Sequence, residues 1–261
     1  MDIDSFEKYC LDAQNEYKDR TTNGMFAPWL LYKKDFEAIG GHDPIFAPFP
    51  YEDSDLFQRW ILSGYELIQS RDALVYHLTC RGHRWTNEIK KDSDDFKVFE
   101  RRARKNYLRK WGSWVKNDVY QHPILSPVYD KTVVIRNEST NLLEVVEPLF
   151  NRLYLYSESR EICNDYIQSE IQLSDIEPSV LSNKNLFMKF YFYTDSTINN
   201  FDGDIIVYLD GNTINNDDVY CLMNLNDMVK ETNEVGMFEI GNLKIEIKSI
   251  NDKSLDLINL E

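Results

Sequence analysis

Three carboxylates crowd one short stretch, Tyr51-Glu52-Asp53-Ser54-Asp55, directly behind a loop that carries Pro44, Pro48 and Pro50 among aromatic residues. Carboxylates packed this closely repel one another, which raises the proton affinity of at least one and suits the group to general-base work or to cation binding. The same residues also suit a helix start, where the dipole and the unpaired first amides attract acidic side chains. His77 is a second candidate, set among Val75, Tyr76 and Leu78 near the end of a strand-like run. A histidine there serves either as a core residue or as a ligand. Just beyond it, Arg81, His83 and Arg84 with Trp85 form a cationic segment of the kind that holds a diphosphate.

These residues need elements to position them. Apolar spacing predicts an opening helix over residues 4–19 behind Asp4, a short strand over Trp29–Tyr32, and a helix from Lys34 to the Gly40-Gly41 stop. A helix from about Ser54 to Ser63 follows, with Leu56, Trp60 and Ile61 on one face, and then strands over 65–69 and 73–78. A long helix from about Asp94 to Lys110 carries Arg101, Arg102, Arg104, Lys105, Arg109 and Lys110. This basic cluster reads first as a solvated face and second as a phosphate site. HPILSPVYD, residues 122–130, is the linker candidate that separates residues 1–121 from 131–261. Beyond it strands and helices alternate: KTVVIR, NLLEVVEPLF, RLYLYS, EICNDYIQSEI, LFMKFYFYT, DIIVYLDG and NDDVYCLMNLNDMVKE, closed by the hairpin GMFEIG and LKIEIKSI. Such alternation predicts a small α/β domain with a mixed sheet.

Charge divides the chain in the same place. Residues 1–125 sum to −1 and residues 126–261 to −14, of a total of −15 over 261 residues. An acidic face of that size repels polyanions, which excludes nucleic acid as a partner of the second half. No apolar run approaches the roughly 20 residues that cross a bilayer, so no membrane span is expected. Cys10, Cys80, Cys163 and Cys221 lie too far apart for a zinc pair or a disulfide framework. With a polar start and no leader pattern, a cytoplasmic setting is the expectation.

The order of motifs resembles a known family. GMFAPWLLYKKDFEAIGGHDPIF, then YEDSDLFQRWILSGYELIQSRDALVYH, then CRGHRW and the later YLRKWG resemble the C-terminal catalytic half of inverting GT-A glycosyltransferases of family 2. EDSDLFQR is also similar to the Glu-Asp-x-Asp segment of β-1,4-galactosyltransferases, and VYH with the loop behind it resembles their metal-ligand histidine and mobile loop. The resemblance covers about residues 22–115, and it implies a partial GT-A catalytic half (nucleotide-diphospho-sugar transferase) in front of the α/β domain.

What the resemblance implies falls on particular residues. Asp53 matches the carboxylate that deprotonates the acceptor hydroxyl, Glu52 an acceptor-positioning group and Asp55 a supporting one, while Trp29 would stack on a sugar face. His77 matches the protein ligand of a Mn²⁺ or Mg²⁺ ion carried by the nucleotide diphosphate, with Arg81, His83 and Arg84 assisting. The implied partners are a nucleotide sugar and a glycan or other hydroxyl acceptor, with self-association or a separately encoded N-terminal half as further expectations.

The chain departs from the family where the nucleotide-binding half and its Asp-x-Asp should stand. Asp53–Asp55 belongs to the acidic helix start, Asp92–Asp94 precedes the basic helix, and Asp202–Asp204 precedes a strand of the other domain. The expectation is therefore an enzyme without its donor half, or a glycan- or protein-binding module that kept only the acceptor side. A remaining possibility puts a degenerate donor site in the second domain, at Asp204 or Asp210.

Overall fold

The computed structural model describes residues 2–24, 28–76, 84–86, 91–173, 186–194 and 201–258. Helix α1 spans Ile3–Tyr17 and is capped two residues earlier than Asp4 suggested, because the Asp2 carboxylate accepts the Ser5 N–H at 2.8 Å. Strand β1 (Thr21–Asn23), helix α2 (Lys33–Ala38), a 3₁₀ turn at Pro44–Phe46 and helix α3 (Glu52–Leu62) follow. Strand β2 (Ile68–Ser70) pairs antiparallel with β1, Thr22 opposite Gln69. Residues 29–32 form no strand: Trp29 instead turns into an apolar cluster of Ile39, Leu56, Phe57, Trp60 and Leu67. Residues 73–76 are likewise not strand, and 77–78 lie outside the described residues.

Helix α4 (Asp94–Trp111) matches its expected span. Ser93 Oγ accepts the Phe96 N–H at its start, and Gly112 ends it at φ +66°. One face packs Ala103, Tyr107 and Trp111 against Ile45 and Phe46 of the 3₁₀ turn. Asn106 donates to the Ile45 carbonyl at 2.9 Å, and Arg102 donates to the Ala47 carbonyl. Among the described residues no helix is long and apolar enough to cross a membrane.

The second half is an α/β unit with a mixed six-stranded sheet. In chain order it comprises β3 (Lys131–Arg136), α5 (Thr140–Val146), β4 (Arg152–Tyr156), α6 (Arg160–Leu173), β5 (Phe190–Tyr193), β6 (Ile205–Asp210), α7 (Asn216–Thr232), β7 (Gly236–Ile240) and β8 (Leu243–Ile247). The strand order is β5-β4-β3-β6-β8-β7, with β3 to β6 mutually parallel and β8 antiparallel to both neighbours. Only the end of LFMKFYFYT is strand; Leu186–Lys189 is a 3₁₀ turn. Val133, Ile135, Leu153, Leu155, Val207 and Ile245 join buried residues of α5, α6 and α7 in the main core. On the opposite face Val134, Tyr193, Phe201 and Ile206 gather Tyr154, Tyr156 and Tyr208.

The basic stripe of α4 is not solvated, which corrects the first reading of it. Arg109 meets Glu147 and Glu170 at 2.6 Å each, Lys105 meets Glu144 at 2.6 Å and Glu170 at 2.5 Å, and Arg101 meets Glu144 at 2.6 Å. Lys189 adds a contact of 2.6 Å to Glu147, whose carboxylate is fully buried, and Tyr166 donates to it at 2.8 Å. Burial alone would raise the proton affinity of Glu147, but the Arg109 and Lys189 charges beside it outweigh that and hold it well below the usual carboxylate range. These helix cations are therefore committed to carboxylates of the second half. Residues 122–130 also pack: Ser126, Pro127 and Tyr129 are buried, and Asn226 donates to the Pro127 carbonyl at 2.8 Å.

Candidate functional site

The acidic start of α3 is built from an anchor outward. Arg59, four residues after Asp55 and so on the same helical face, is fully buried and donates to Asp55 Oδ2 at 2.9 Å. Its two terminal nitrogens reach the carbonyls of Ile39 and Gly41 at 2.6 Å each, which bolts the Gly40-Gly41 turn onto α3. Asp55 Oδ1 in turn accepts from Trp111 Nε1 at 2.9 Å and pairs with Lys110 Nζ at 2.7 Å. Asp55 has no exposed surface and ties α3 to α4, the place of a supporting group and not of one that touches an acceptor.

The chain enters α3 through Tyr51 at φ +80°, a left-handed conformation that is unfavourable for a bulky residue. The strain is offset by the Tyr51 hydroxyl donating to Glu100 at 3.4 Å and by its ring packing on Tyr107 at 5.5 Å. This turn separates the three carboxylates. Asp53 is exposed and accepts the Ser54 N–H at 2.7 Å. Glu52 is half-buried, its Oε2 is buried with no hydrogen-bond partner, and burial first and the Asp53 charge after it raise its proton affinity. The His42 charge opposes that rise.

Trp29 is half-buried and edge-on to Trp60 at 5.5 Å and to His42 at 6.0 Å. Of the three carboxylates, Asp53 is exposed, Glu52 is half-buried and Asp55 is locked. Arg84 is already engaged: its Nε donates to Asp92 at 2.8 Å and its guanidinium lies 4.8 Å from the Trp85 ring and 4.9 Å from that of Phe96. His77, Arg81 and His83 lie outside the described residues. Among the described residues no three His, Cys, Asp or Glu side chains converge as a metal cage.

A second polar locus lies where the sheet order reverses, at the carboxyl ends of β3 and β6. Gly211 N–H donates to the Arg136 carbonyl at 2.8 Å, and Asn137 Nδ2 donates to Asp210 Oδ1 at 2.8 Å. The two loops are so close that a Cβ on Gly211 would stand 2.0 Å from the Asn137 carbonyl oxygen. Glu138 beside them is buried with Oε2 unpartnered, and burial raises its proton affinity. Asp204 sits at the other end of β6, where it accepts the Asp130 N–H at 2.9 Å and pairs with Lys253 at 2.5 Å. It is a structural clamp and not a strand-tip ligand. Sequence reasoning missed Arg59, Lys110 and Trp111 as supports; only the four-residue spacing of Asp55 and Arg59 signalled the first.

No protein-family model, no curated protein and no solved structure matches the chain.

Proposed function

We propose that residues 22–115 form the acceptor side of an inverting, metal-dependent glycosyltransferase of the GT-A, family 2-like kind. The division of carboxylates at the start of α3 carries this reading: Asp55 is locked into the scaffold, Asp53 is exposed, and Glu52 is half-buried with one oxygen left unpartnered. Asp53 takes the proton of the acceptor hydroxyl as that oxygen bonds to the anomeric carbon, and the bond to the nucleotide diphosphate breaks with its electron pair on the leaving group. Glu52 orients the acceptor through hydrogen bonds, and Trp29 packs on a sugar face. A divalent cation carried by the diphosphate would neutralise leaving-group charge, with His77 as the protein ligand the resemblance offers. Arg84 joins in only by exchanging Asp92 for phosphate.

The test is transfer from a panel of nucleotide sugars with Mn²⁺, comparing the full chain with Asp53→Asn. Loss of about 10²-fold or more in rate supports the base assignment. Full activity in a folded Asp53→Asn protein counts against it, and saturable glycan binding that Asp53→Asn leaves unchanged favours a glycan-binding module.

The strand order favours a second reading for residues 131–258. In open parallel sheets, ligands settle outside the carboxyl ends of strands where the order reverses, which here is the β3/β6 end bearing Asn137 and Asp210. The donor nucleotide would then lie in the second half. Calorimetry with UDP, with and without Mn²⁺, tests it: binding weakened by Asp210→Asn supports a donor crevice, and no heat rejects it.

A further inference from the structure

Strand β7 adds almost nothing to the core of a single chain. Gly236, Met237, Glu239 and Ile240 are exposed along it, and only Phe238 is half-buried against the main core. It is nonetheless held firmly. Gly241 at φ +57° makes the tight two-residue turn to β8, and Asn242 donates from its backbone and its side-chain amide to Asp218 at 2.9 Å and 2.8 Å. A turn that closes on Ile240 opposite Leu243 puts the hydrogen-bonded pairs at 240/243, 238/245 and 236/247. The amide and carbonyl groups of Met237 and Glu239 therefore point away from β8, off the edge of the sheet. Residues 236–240 carry little edge protection: no proline, no lysine and no bulge in the register, with Glu239 as the one charge.

We propose that β7 is a self-association edge, on which a second copy of this chain pairs its own β7 antiparallel about a two-fold axis. The outward backbone groups of Met237 and Glu239 are self-complementary about Phe238, which selects a second copy, and the number of bonds they form with the charge of Glu239 selects the register. With the axis at Phe238, Met237 of one copy faces Glu239 of the other, twice, giving four backbone hydrogen bonds within the strand's own residues. Centring on Glu239 would oppose two like charges. The chosen register also sets Phe238 against its counterpart on the core-facing side, so that the apolar core continues across the axis. Each copy carries a net charge of −15, so the pairing strengthens as salt screens that repulsion.

Sedimentation equilibrium of the full chain, from about 5 to about 300 µM and at low and high salt, tests the proposal over the range expected of a small interface. The expected result is a mass rising from 30.9 kDa toward twice that value, more steeply at high salt. A mass of 30.9 kDa throughout, or association that weakens with salt, overturns it. Glu239→Pro removes an outward amide and no bond to β8, and should weaken dimerisation at least tenfold with an unchanged circular dichroism spectrum. Persistence of the dimer in that variant refutes the edge. Should that variant misfold, Phe238→Cys decides. Facing residues of a non-hydrogen-bonded pair lie about 4.5 Å apart at Cα, within disulfide reach, so mild oxidation should link two copies. Absence of the linked species under conditions where the wild type associates rejects the register.

Discussion

Replacing Glu147 by Gln should loosen both halves of the chain together, although the residue belongs to the second. Its carboxylate is fully buried and receives Arg109 at 2.6 Å, Lys189 at 2.6 Å and the Tyr166 hydroxyl at 2.8 Å. Glutamine preserves the volume but removes the charge, and it turns an amide donor toward groups that are themselves donors. Breaking a buried pair in this way costs about 4 kcal/mol, because the cations remain buried and undercompensated. For an unfolding slope of about 3 kcal/mol per molar urea, the midpoint falls by about 1.3 M. Arg101→Gln is the control: its pair with Glu144 is partly exposed and contributes under about 1 kcal/mol. All five tryptophans, at positions 29, 60, 85, 111 and 114, lie in the first half. Tryptophan fluorescence thus follows that half, while far-ultraviolet circular dichroism follows the whole chain. If the Glu147→Gln fluorescence midpoint stays at the wild-type value while the dichroism midpoint moves, the buried pairs do not couple the halves and the reasoning fails.

Lys131 is buried, donates to the Gly112 carbonyl at 2.8 Å and to Asn226 Oδ1 at 2.7 Å, and is pushed down to about 7, chiefly by burial and then by Lys189. The unfolded chain keeps that proton up to its ordinary value, so wild-type stability relative to Lys131→Met should rise with pH from 7 to 9 by about 1.4 kcal/mol per unit; a flat difference in urea titrations contradicts it. Asp55→Asn should destabilise by about 3 to 5 kcal/mol because Arg59 and Lys110 lose their buried partner, whereas exposed Asp53→Asn should stay within about 0.5 kcal/mol of wild type. Equal midpoints for the two variants would show that the carboxylates are not divided into locked and free. Gly211→Ala should cost about 2 kcal/mol or more, since its Cβ meets the Asn137 carbonyl at 2.0 Å, and a neutral result would mean that the β3 and β6 loops part easily.

The α/β half was legible because buried parallel strands declare themselves as short apolar runs between turn residues, as KTVVIR and DIIVYLDG do. Their spatial order was not, since nothing local in β5 says that it lies at one edge while β7 lies at the other. Trp29–Tyr32 misled for a related reason: an apolar run becomes a strand only where a neighbour offers its backbone, and here Trp29 fills a gap beside Trp60 instead. At the candidate site, the residue types at 52–55 were readable, but their division was not. Whether a carboxylate is free or locked depends on Lys110 and Trp111, which lie more than fifty residues further along the chain.

Helix α4 also explains why a charge difference that looked like a boundary acts as a joint. Its period sets Arg101, Lys105 and Arg109 four residues apart on one side, where Glu144, Glu147 and Glu170 meet them. Lys110 and Trp111 at its end hold Asp55, which holds Arg59, which holds Gly41. A continuous series of charged contacts therefore runs from the buried carboxylates of the sheet half to the turn behind the exposed Asp53. Three of the acidic residues that make the second half so negative are thereby spent on fixing the direction of α3. The same helix thereby sets the distance between the β3/β6 end and the exposed Asp53, and a change at Glu147 would shift it without touching either place.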